Sequence, residues 1–346
     1  MASAPRSTTD QLNPLQRLAA EPHRFSLFAA LRLLEQVHAD KPRLGESRRA
    51  ATEGVRLGQS PHLTFAPSEV ATCEEGERVR LEQYVFGVFG PNGALPLHLT
   101  EHAYERRRHK EDATFADFIN LFQHRLISLF YRSWANSDPA TNFDRPQSDR
   151  FADWVGATFG LAGDVARDRD VVIDYAKLAR AGLYAQQTRS ADGLQAILSG
   201  YFGLEVQIRQ FVGAWLSTPR EAFCRLGGGG EPARLGLSAT IGESSWQCQH
   251  KFEIVLGPLA LDQFRDFLPG ARGLAELHAL VRLYTNDEWT WQLRLLLRDV
   301  EIPGIAIGQG GQLGWTSWLG ARRADAGDVL IEERRAAAAH ISQTAS

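Results

Sequence analysis

The chain is organised around residues 79–134, which contain FGVFGPNGALPLHLTEH (86–102) and DFINLFQHRLISLFYRSW (117–134). From Val79 to Phe89, apolar residues and glycine recur two apart, which predicts a strand with one buried face. Gly90-Pro91-Asn92-Gly93 should end this strand, because proline has no amide hydrogen and Asn-Gly readily forms a tight turn. A helix is then predicted to open at Thr100, whose hydroxyl can cap a free amide.

A second, longer helix is predicted from Thr114, which has capping-box spacing with Asp117. Large apolar residues recur three or four apart along it, the spacing of one helical face. These residues are Phe115, Phe118, Ile119, Phe122, Leu126, Leu129, Phe130 and Trp134. So many rings on one face must be buried, either in the core of this chain or against a partner.

These two segments resemble the signature region of the TssG family (also called VasB or ImpH), a baseplate subunit of the bacterial type VI secretion system. Further stretches resemble the family in the same order, from about residue 24 to about residue 330. They are FSLFAALRLLE (25–35), LTFAPSEV (63–70), RSADGLQAILSGYFGLEVQIRQFVGAWL (189–216), KFEIVLGPLALDQFRDFLPG (251–270) and LGWTSWLG (313–320). One small departure is Ala66-Pro67, where the family has two prolines.

The resemblance implies a structural adaptor without enzymatic activity or cofactor, which acts in a hetero-oligomer. It implies TssF and TssK as partners, with TssE and the spike protein as further candidates. Exposed loops would hold TssK, and we assign that contact to Pro91, Asn92, Gly93, Ala94, Leu95 and Pro96, with Gly257, Pro258 and Leu259 as a counterpart. We assign the TssF contact to the helix face that carries Phe118, Phe122, Phe130 and Trp134.

The pattern of elements predicts an α+β fold with two lobes of short antiparallel strands and amphipathic helices. KFEIVL, Gly257-Pro258 and the following leucines repeat the order strand, Gly-Pro, leucines and helices seen at 79–134, so a divergent internal duplication is one interpretation. The expected division is a flexible N-terminal arm (1–22), an N-terminal lobe (23–165), a C-terminal lobe (166–323) and a flexible C-terminal tail (324–346).

Composition favours a cytoplasmic protein that binds other proteins, and the resemblance implies a position at the inner face of the membrane complex. A net charge of −3 gives no reason to expect nucleic acid as a partner. Cys73, Cys224 and Cys248 have neither zinc nor disulfide spacing, which favours a reducing compartment. The first residues lack the apolar segment of a secretory signal, and no apolar run is long enough to span a bilayer.

Two alternatives stay open from the residues themselves. His98, Glu101 and His102 match the H-x-x-E-H pattern of some zinc hydrolases. That pattern needs both histidines on one helix, and a helix that opens at Thr100 would leave His98 outside it. The second alternative is a free-standing soluble binding module. The basic run at 106–110 lies among carboxylates and is interpreted as a solvated helix face with internal ion pairs.

Overall fold

The computed structural model describes residues 14–49, 52–76, 78–163, 165–225, 227, 230–239, 241–304, 311–318 and 324–333. Residue contacts divide the chain between Asp153 and Trp154 into two units. Each unit has its own cluster of buried apolar side chains. Mixed sheets and helices make up both units, so the predicted α+β class is confirmed. No helix within the described ranges is long and apolar enough to span a membrane.

The first unit places a small sheet beside several helices. Its strands and helices are α1 (Pro14–Ala20), α2 (Leu27–Val37), β1 (Val55–Gln59), β2 (Val70–Glu74), β3 (Val79–Gln83), α3 (Leu97–His109), α4 (Thr114–Ser137), α5 (Pro139–Phe143) and α6 (Arg150–Ala157), which crosses the division. The strand order is β1-β3-β2, with β1 parallel and β2 antiparallel to β3. One outer strand, β1, therefore has an edge that no strand covers.

The predicted strand from Val79 to Phe89 is shorter in the structure, since β3 ends at Gln83. The side chain of Gln83 accepts a hydrogen bond from the amide of Phe86 at 2.8 Å and also contacts the carbonyl of Phe86. A side chain thus takes the place of the next strand partner, and the backbone bends away from the sheet. Beyond Gln83 the alternation does not follow burial, because Val85 is exposed and only Phe89 at its end is buried.

The second unit is built on a four-stranded sheet. Its strands and helices are α7 (Asp174–Leu178), α8 (Ala181–Ala185), α9 (Ala191–Phe202), β4 (Val206–Arg209), β5 (Ala214–Ser217), β6 (Ser244–Gln247), β7 (Lys251–Leu259), α10 (Leu261–Asp266), α11 (Arg272–Thr285), β8 (Thr290–Leu297) and β9 (Ala326–Glu332). The order is β4-β7-β8-β9, and only the β7–β8 pair is parallel. β5 and β6 form a separate two-stranded sheet.

Alternate residues of the central strands form the core of the second unit. Ile254 and Leu256 of β7, with Leu293 and Leu295 of β8, are fully buried. They belong to the same apolar cluster as the buried leucines of α9 and α11. The period of two along the strands and the longer period along the helices place these residues on facing surfaces.

Both predicted flexible ends contain ordered elements, which corrects the expectation for their inner parts. Within the arm, Leu18 of α1 is fully buried in the core of the first unit. Within the tail, β9 pairs with β8, and Val329 and Ile331 enter the core of the second unit. Burial of these side chains offsets the entropy lost on ordering the ends. Residues 1–13 and 334–346 lie outside the described residues.

The two sheets differ in connectivity, so their topology does not support an internal duplication. In the first unit the parallel neighbour of β3 is β1, which precedes it in the chain. In the second unit the parallel neighbour of β7 is β8, which follows it through α10 and α11. The sheets are also mixed rather than purely antiparallel. The repeated Gly-Pro-leucine pattern is a local similarity between segments with different surroundings.

Candidate partner-binding surfaces

The polar residues Asn120 and His124 of α4 face strand β1. Asn120 and His124 lie one turn apart on this helix and accept hydrogen bonds from the free edge of β1. The amide of Gln59 donates to Asn120 Oδ1 at 2.9 Å, and the amide of Leu57 donates to His124 Nδ1 at 3.1 Å. His124 Nε2 lies 2.6 Å from the carboxylate of Glu53. Because a buried amide needs a partner, this strand edge requires polar residues on the inner side of the helix.

The opposite face of α4 is apolar and exposed. Its large side chains recur three or four apart, and Phe122 keeps 62% of its surface exposed. We call this set the α4 apolar face: Phe118, Leu121, Phe122, Leu126, Leu129 and Phe130. A contiguous exposed apolar patch of this kind marks an interaction site in most soluble proteins. Around Asn120 and His124 the helix is therefore inverted relative to an ordinary surface helix, although further along it also buries Ile127 and Tyr131 in the core.

Three of the four aromatic residues predicted for this face are exposed on α4. Phe118 and Phe122 are both exposed, and their rings meet edge to face with centroids 5.5 Å apart. Phe130 is also exposed. Trp134 is half-buried and stacks on Phe28 of α2 with centroids 4.6 Å apart. Trp134 thus belongs to the margin of the core rather than to the exposed face.

A glutamine side chain holds the segment that leads into the Gly-Pro loop. Gln59 Nε2 donates to the carbonyl of Phe89 at 2.9 Å, and Gln59 Oε1 accepts from the amide of Phe89 at 2.8 Å. Gly87 passes so close to this amide group that a Cβ atom there would overlap Gln59 Oε1. Both backbone groups of Phe89 are therefore satisfied by one fixed side chain, and the base of the loop is rigid.

The Gly-Pro loop itself is a hydrogen-bonded turn. The amide of Gly93 donates to the carbonyl of Gly90 at 3.0 Å, and the amide of Leu95 donates to the carbonyl of Val88 at 3.1 Å. A Cβ atom on Gly93 would lie 2.7 Å from the carbonyl carbon of Phe89 and would overlap the Val88 oxygen. Only glycine allows this close approach of backbone to backbone.

The six residues predicted as the loop tip differ in exposure. Pro91, Asn92, Ala94 and Pro96 are exposed, whereas Gly93 and Leu95 are half-buried. Beside the tip lies a groove of about 250 Å³, which is lined in part by the exposed residues Phe65 and Val85. The tip and this groove together form a continuous rigid surface on the first unit.

The second predicted loop is not a loop, and this expectation is wrong for two of its three residues. Gly257 and Leu259 lie inside β7, and both are buried; Leu259 is 0% exposed. Only Pro258 is exposed, at an irregularity where the pairing of β7 with β8 shifts. The amide of Gly257 donates to the carbonyl of Glu205 at 3.0 Å, which keeps this segment in the sheet.

The helix that carries the H-x-x-E-H pattern starts earlier than predicted. It begins at Leu97, so His98 and His102 are both helical and share a face, whereas Thr100 is buried in the first turn and is not the cap. The reason first given against a zinc site was therefore wrong. Within the described ranges, however, no group of three potential metal-ligating side chains is present.

The basic run at the end of α3 forms internal contacts. Arg106 pairs with Asp112, and Arg107 Nη1 lies 2.7 Å from the buried carboxylate of Glu82. Hydrogen bonds from Thr114 and from the Arg106 guanidinium hold the pKa of Asp112 well below its usual range. Neither pair lies within the helix, because Asp112 follows α3 and Glu82 belongs to β3, so the basic run pairs with neighbouring segments and not with carboxylates of its own helix face.

One exposed aromatic element was not predicted from the sequence. The hairpin of β5 and β6 places Trp215 opposite Trp246, with ring centroids 5.3 Å apart and exposed fractions of 67% and 54%. The two strands are only four residues long and lie far apart in the sequence. The available signal was a pair of short segments, AWLS and SSWQ, on either side of the glycine-rich stretch at 227–230.

Comparison with known proteins identifies relatives that cover most of the chain. The model of the family described as Type VI secretion, TssG, matches residues 21–320. A chain in the solved baseplate complex from the type VI secretion system is 22% identical, with 92% of each chain covered and a TM-score of 0.61. A chain in the TssK-TssF-TssG baseplate subcomplex, solved by cryo-electron microscopy, is 19% identical, with 62% of this chain and 90% of that chain covered and a TM-score of 0.50. No curated protein sequence matches the chain.

Proposed function

We propose that this chain, which belongs to the TssG family of type VI secretion, is a non-enzymatic structural adaptor of the secretion baseplate. Its partners would be TssF and TssK. They are the other two subunits of the TssK-TssF-TssG subcomplex, one chain of which resembles part of this chain in fold. The observation that carries this proposal is the inverted helix α4. Its polar residues accept hydrogen bonds from β1, and its apolar residues are exposed on the other side. We expect the assembly to form on the cytoplasmic side of the membrane complex.

The α4 apolar face is the surface we assign to TssF. Burying a phenylalanine or leucine side chain contributes roughly 1.5–3 kcal/mol, so a row of them can hold an obligate partner. The face lies on a helix of 24 residues, long enough to pack along a partner helix. Phe118, Phe122 and Phe130 supply the rings that interface hot spots commonly contain.

The loop tip around Pro91 and Asn92 is the surface we assign to TssK. The clamp by Gln59 and the turn at Gly93 fix the loop before any partner arrives. A preorganised loop loses less conformational entropy on binding than a mobile one, which raises affinity without further contacts. The exposed side chain of Asn92 and the adjacent groove would provide specificity.

The primary test is co-expression of the full chain with TssF and TssK from the same bacterium, followed by purification and native mass measurement. A discrete complex that contains all three proteins is the expected result. A well-folded monomer that recruits neither protein would instead support a free-standing binding module and would overturn the adaptor proposal.

Two variants test the assignment of the surfaces. Phe118→Ser with Phe122→Ser should remove TssF and leave TssK bound, because it changes only the α4 apolar face. Pro91→Ser with Asn92→Arg should weaken TssK and leave TssF bound, since Gly93 and the turn are kept. Leu235→Ser, at an exposed apolar position in the second unit, is the matched control and should change neither.

A further inference from the structure

A cavity of about 230 Å³ opens at one end of the four-stranded sheet of the second unit. It lies where α9 begins and α11 ends, next to the end of β4 and the start of β7. Its apolar wall consists of Leu194, Ile208, Phe252 and Trp289. None of the residues assigned above to TssF or TssK lines this cavity.

Two cations border this cavity, and no carboxylate does so among its described lining residues. Arg189 is held in place, because Nη1 donates to the carbonyl of Tyr184 at 2.7 Å and the guanidinium lies over the ring of Tyr284 at 5.2 Å. Lys251 is half-buried at the start of β7. Within the described part of the chain, neither cation forms an ion pair. The cavity thus combines an apolar interior with uncompensated positive charge.

The mouth of the cavity continues into the aromatic hairpin of β5 and β6. Phe211 lines the cavity and is 73% exposed. Two residues later, Gly213 is covered by the ring of Trp246, which also pairs with Trp215. On the returning strand, Gln249 follows β6 and lines the cavity as well. Exposed aromatic surface therefore extends from the mouth along the hairpin.

We propose that this cavity and hairpin form a docking site for a protein segment that carries a large apolar side chain beside a carboxylate. The volume is below the range of about 300–1,000 Å³ usual for small-molecule pockets, and it suits a single side chain. A small molecule would leave Phe211 and both tryptophans uncovered, whereas a protein segment would cover them. The carboxylate would meet Arg189 and Lys251, which supplies charge complementarity. The proposal does not depend on the assignments to TssF and TssK.

The first test titrates the full chain with two probes that differ in charge alone. N-acetyltryptophan has a large ring and a carboxylate, and N-acetyltryptophanamide has the same ring without the charge. Saturation-transfer NMR should show that the acid binds more tightly than the amide, by about fivefold or more, because a charge-assisted hydrogen bond is lost in the amide. Equal binding of the two probes, or binding of neither, would overturn the proposal.

Variants then locate the bound probe. Ala191→Phe fills the cavity from the first turn of α9 and should abolish binding, whereas Gln195→Phe, at an exposed position on the same helix, should not. Lys251→Met should remove the preference for the acid, whereas Arg298→Met, which removes an exposed charge elsewhere in this unit, should keep it. Binding that survives Ala191→Phe would show that the probe occupies another site.

A cross-linking arm tests whether the natural occupant is a protein. A photo-reactive benzoylphenylalanine replaces Phe211 in cells that express the complete secretion system, and the cross-linked peptide is sequenced. The expected product is one segment with Asp or Glu next to a large apolar residue, lost in Ala191→Phe and retained in Gln195→Phe. Absence of a protein cross-link, or a segment without a carboxylate, would overturn the proposed occupant.

Discussion

At the scale of single residues, the first unit depends on side chains that satisfy buried backbone groups. Asn120 and His124 serve the amides of β1, and Gln59 serves both backbone groups of Phe89. Each of these polar residues is buried, although protein interiors usually contain apolar residues at such positions. A buried amide without a partner costs more than a lost apolar contact of similar size.

On α4, replacing a buried polar residue by an apolar one should therefore destabilise the protein. Replacing an exposed apolar residue by a polar one should have little effect on stability. Asn120→Leu leaves the amide of Gln59 without its acceptor and should lower the free energy of unfolding by about 1–3 kcal/mol. Phe122→Gln, on the exposed face, should leave it nearly unchanged. Urea denaturation followed by circular dichroism measures both. If Asn120→Leu proved as stable as the parent chain, the hydrogen bond to β1 would not be important for stability.

A buried carboxylate of the second unit should make its stability depend on pH. Burial alone would raise the pKa of Glu253, but hydrogen bonds from Arg294 and Gln292 and the charges of Arg294 and Arg209 bring the pKa below its usual value of 4.5. The folded protein therefore binds fewer protons than the unfolded chain at acid pH. The stabilisation is present above about pH 4.5 and decreases as the pH falls through the folded pKa.

Glu253→Gln should lower the melting temperature at pH 7 and make its decrease between pH 5 and pH 3 shallower, because the titrating group is absent. Differential scanning calorimetry over this range gives the comparison. Glu221→Gln, at an exposed position in the same unit, should keep the slope of the parent chain. A steeper slope in Glu253→Gln would contradict the lowered pKa.

At the scale of elements, the sequence predicted where a helix lies better than which of its faces is buried. The spacing of apolar residues correctly predicted the helix at 114–137, yet it could not show that the opposite, polar face is buried, since this depends on the unpaired edge of β1. Val329 and Ile331 alternate along β9, although this segment was assigned to a flexible tail. KFEIVLGPL was divided at Gly257-Pro258, although pairing on both sides keeps it one strand.

The Gly-Pro loop provides a test of a single turn. Gly93→Ala places a methyl group against the backbone at Val88 and Phe89, so the turn must shift, and we expect TssK binding to fall about tenfold or more. The melting temperature should change little, because the tip is at the surface. Gly76→Ala is the matched control, since a Cβ there meets nothing closer than 3.7 Å. Unchanged TssK affinity in Gly93→Ala would remove the loop from the interface.

At the scale of the whole molecule, each of the two units has its own large hydrophobic core, and the first unit has a further small cluster around Phe89. The pattern of elements predicted the α+β class, which the structure confirms, and the resemblance predicted a protein of type VI secretion, which the family match confirms. The candidate surfaces could be predicted only in part. Local sequence gave the exposed tip at Pro91 and Asn92, whereas the hairpin with Trp215 and Trp246 depends on pairing across a long loop.

A core truncation in one unit should act mainly within that unit. Leu280 of α11 is buried among the helices and strands of the second core, and Leu280→Ala should cost about 2–5 kcal/mol of stability. Hydrogen exchange measured by mass spectrometry should show faster exchange in peptides from residues 154–304. Peptides from residues 14–153 should keep their protection. Equal loss of protection in both sets would mean that the chain unfolds as one cooperative unit.

The exposed apolar face of α4 has a consequence for the amount of this protein in a cell. A copy without its partner displays a row of phenylalanine and leucine side chains, the feature by which chaperones and proteases identify incomplete proteins. If TssF binds the α4 apolar face as proposed, assembly would conceal that row. Surplus copies would be degraded and incorporated copies would persist, so the amount of the partner would set the amount of this chain without any transcriptional control.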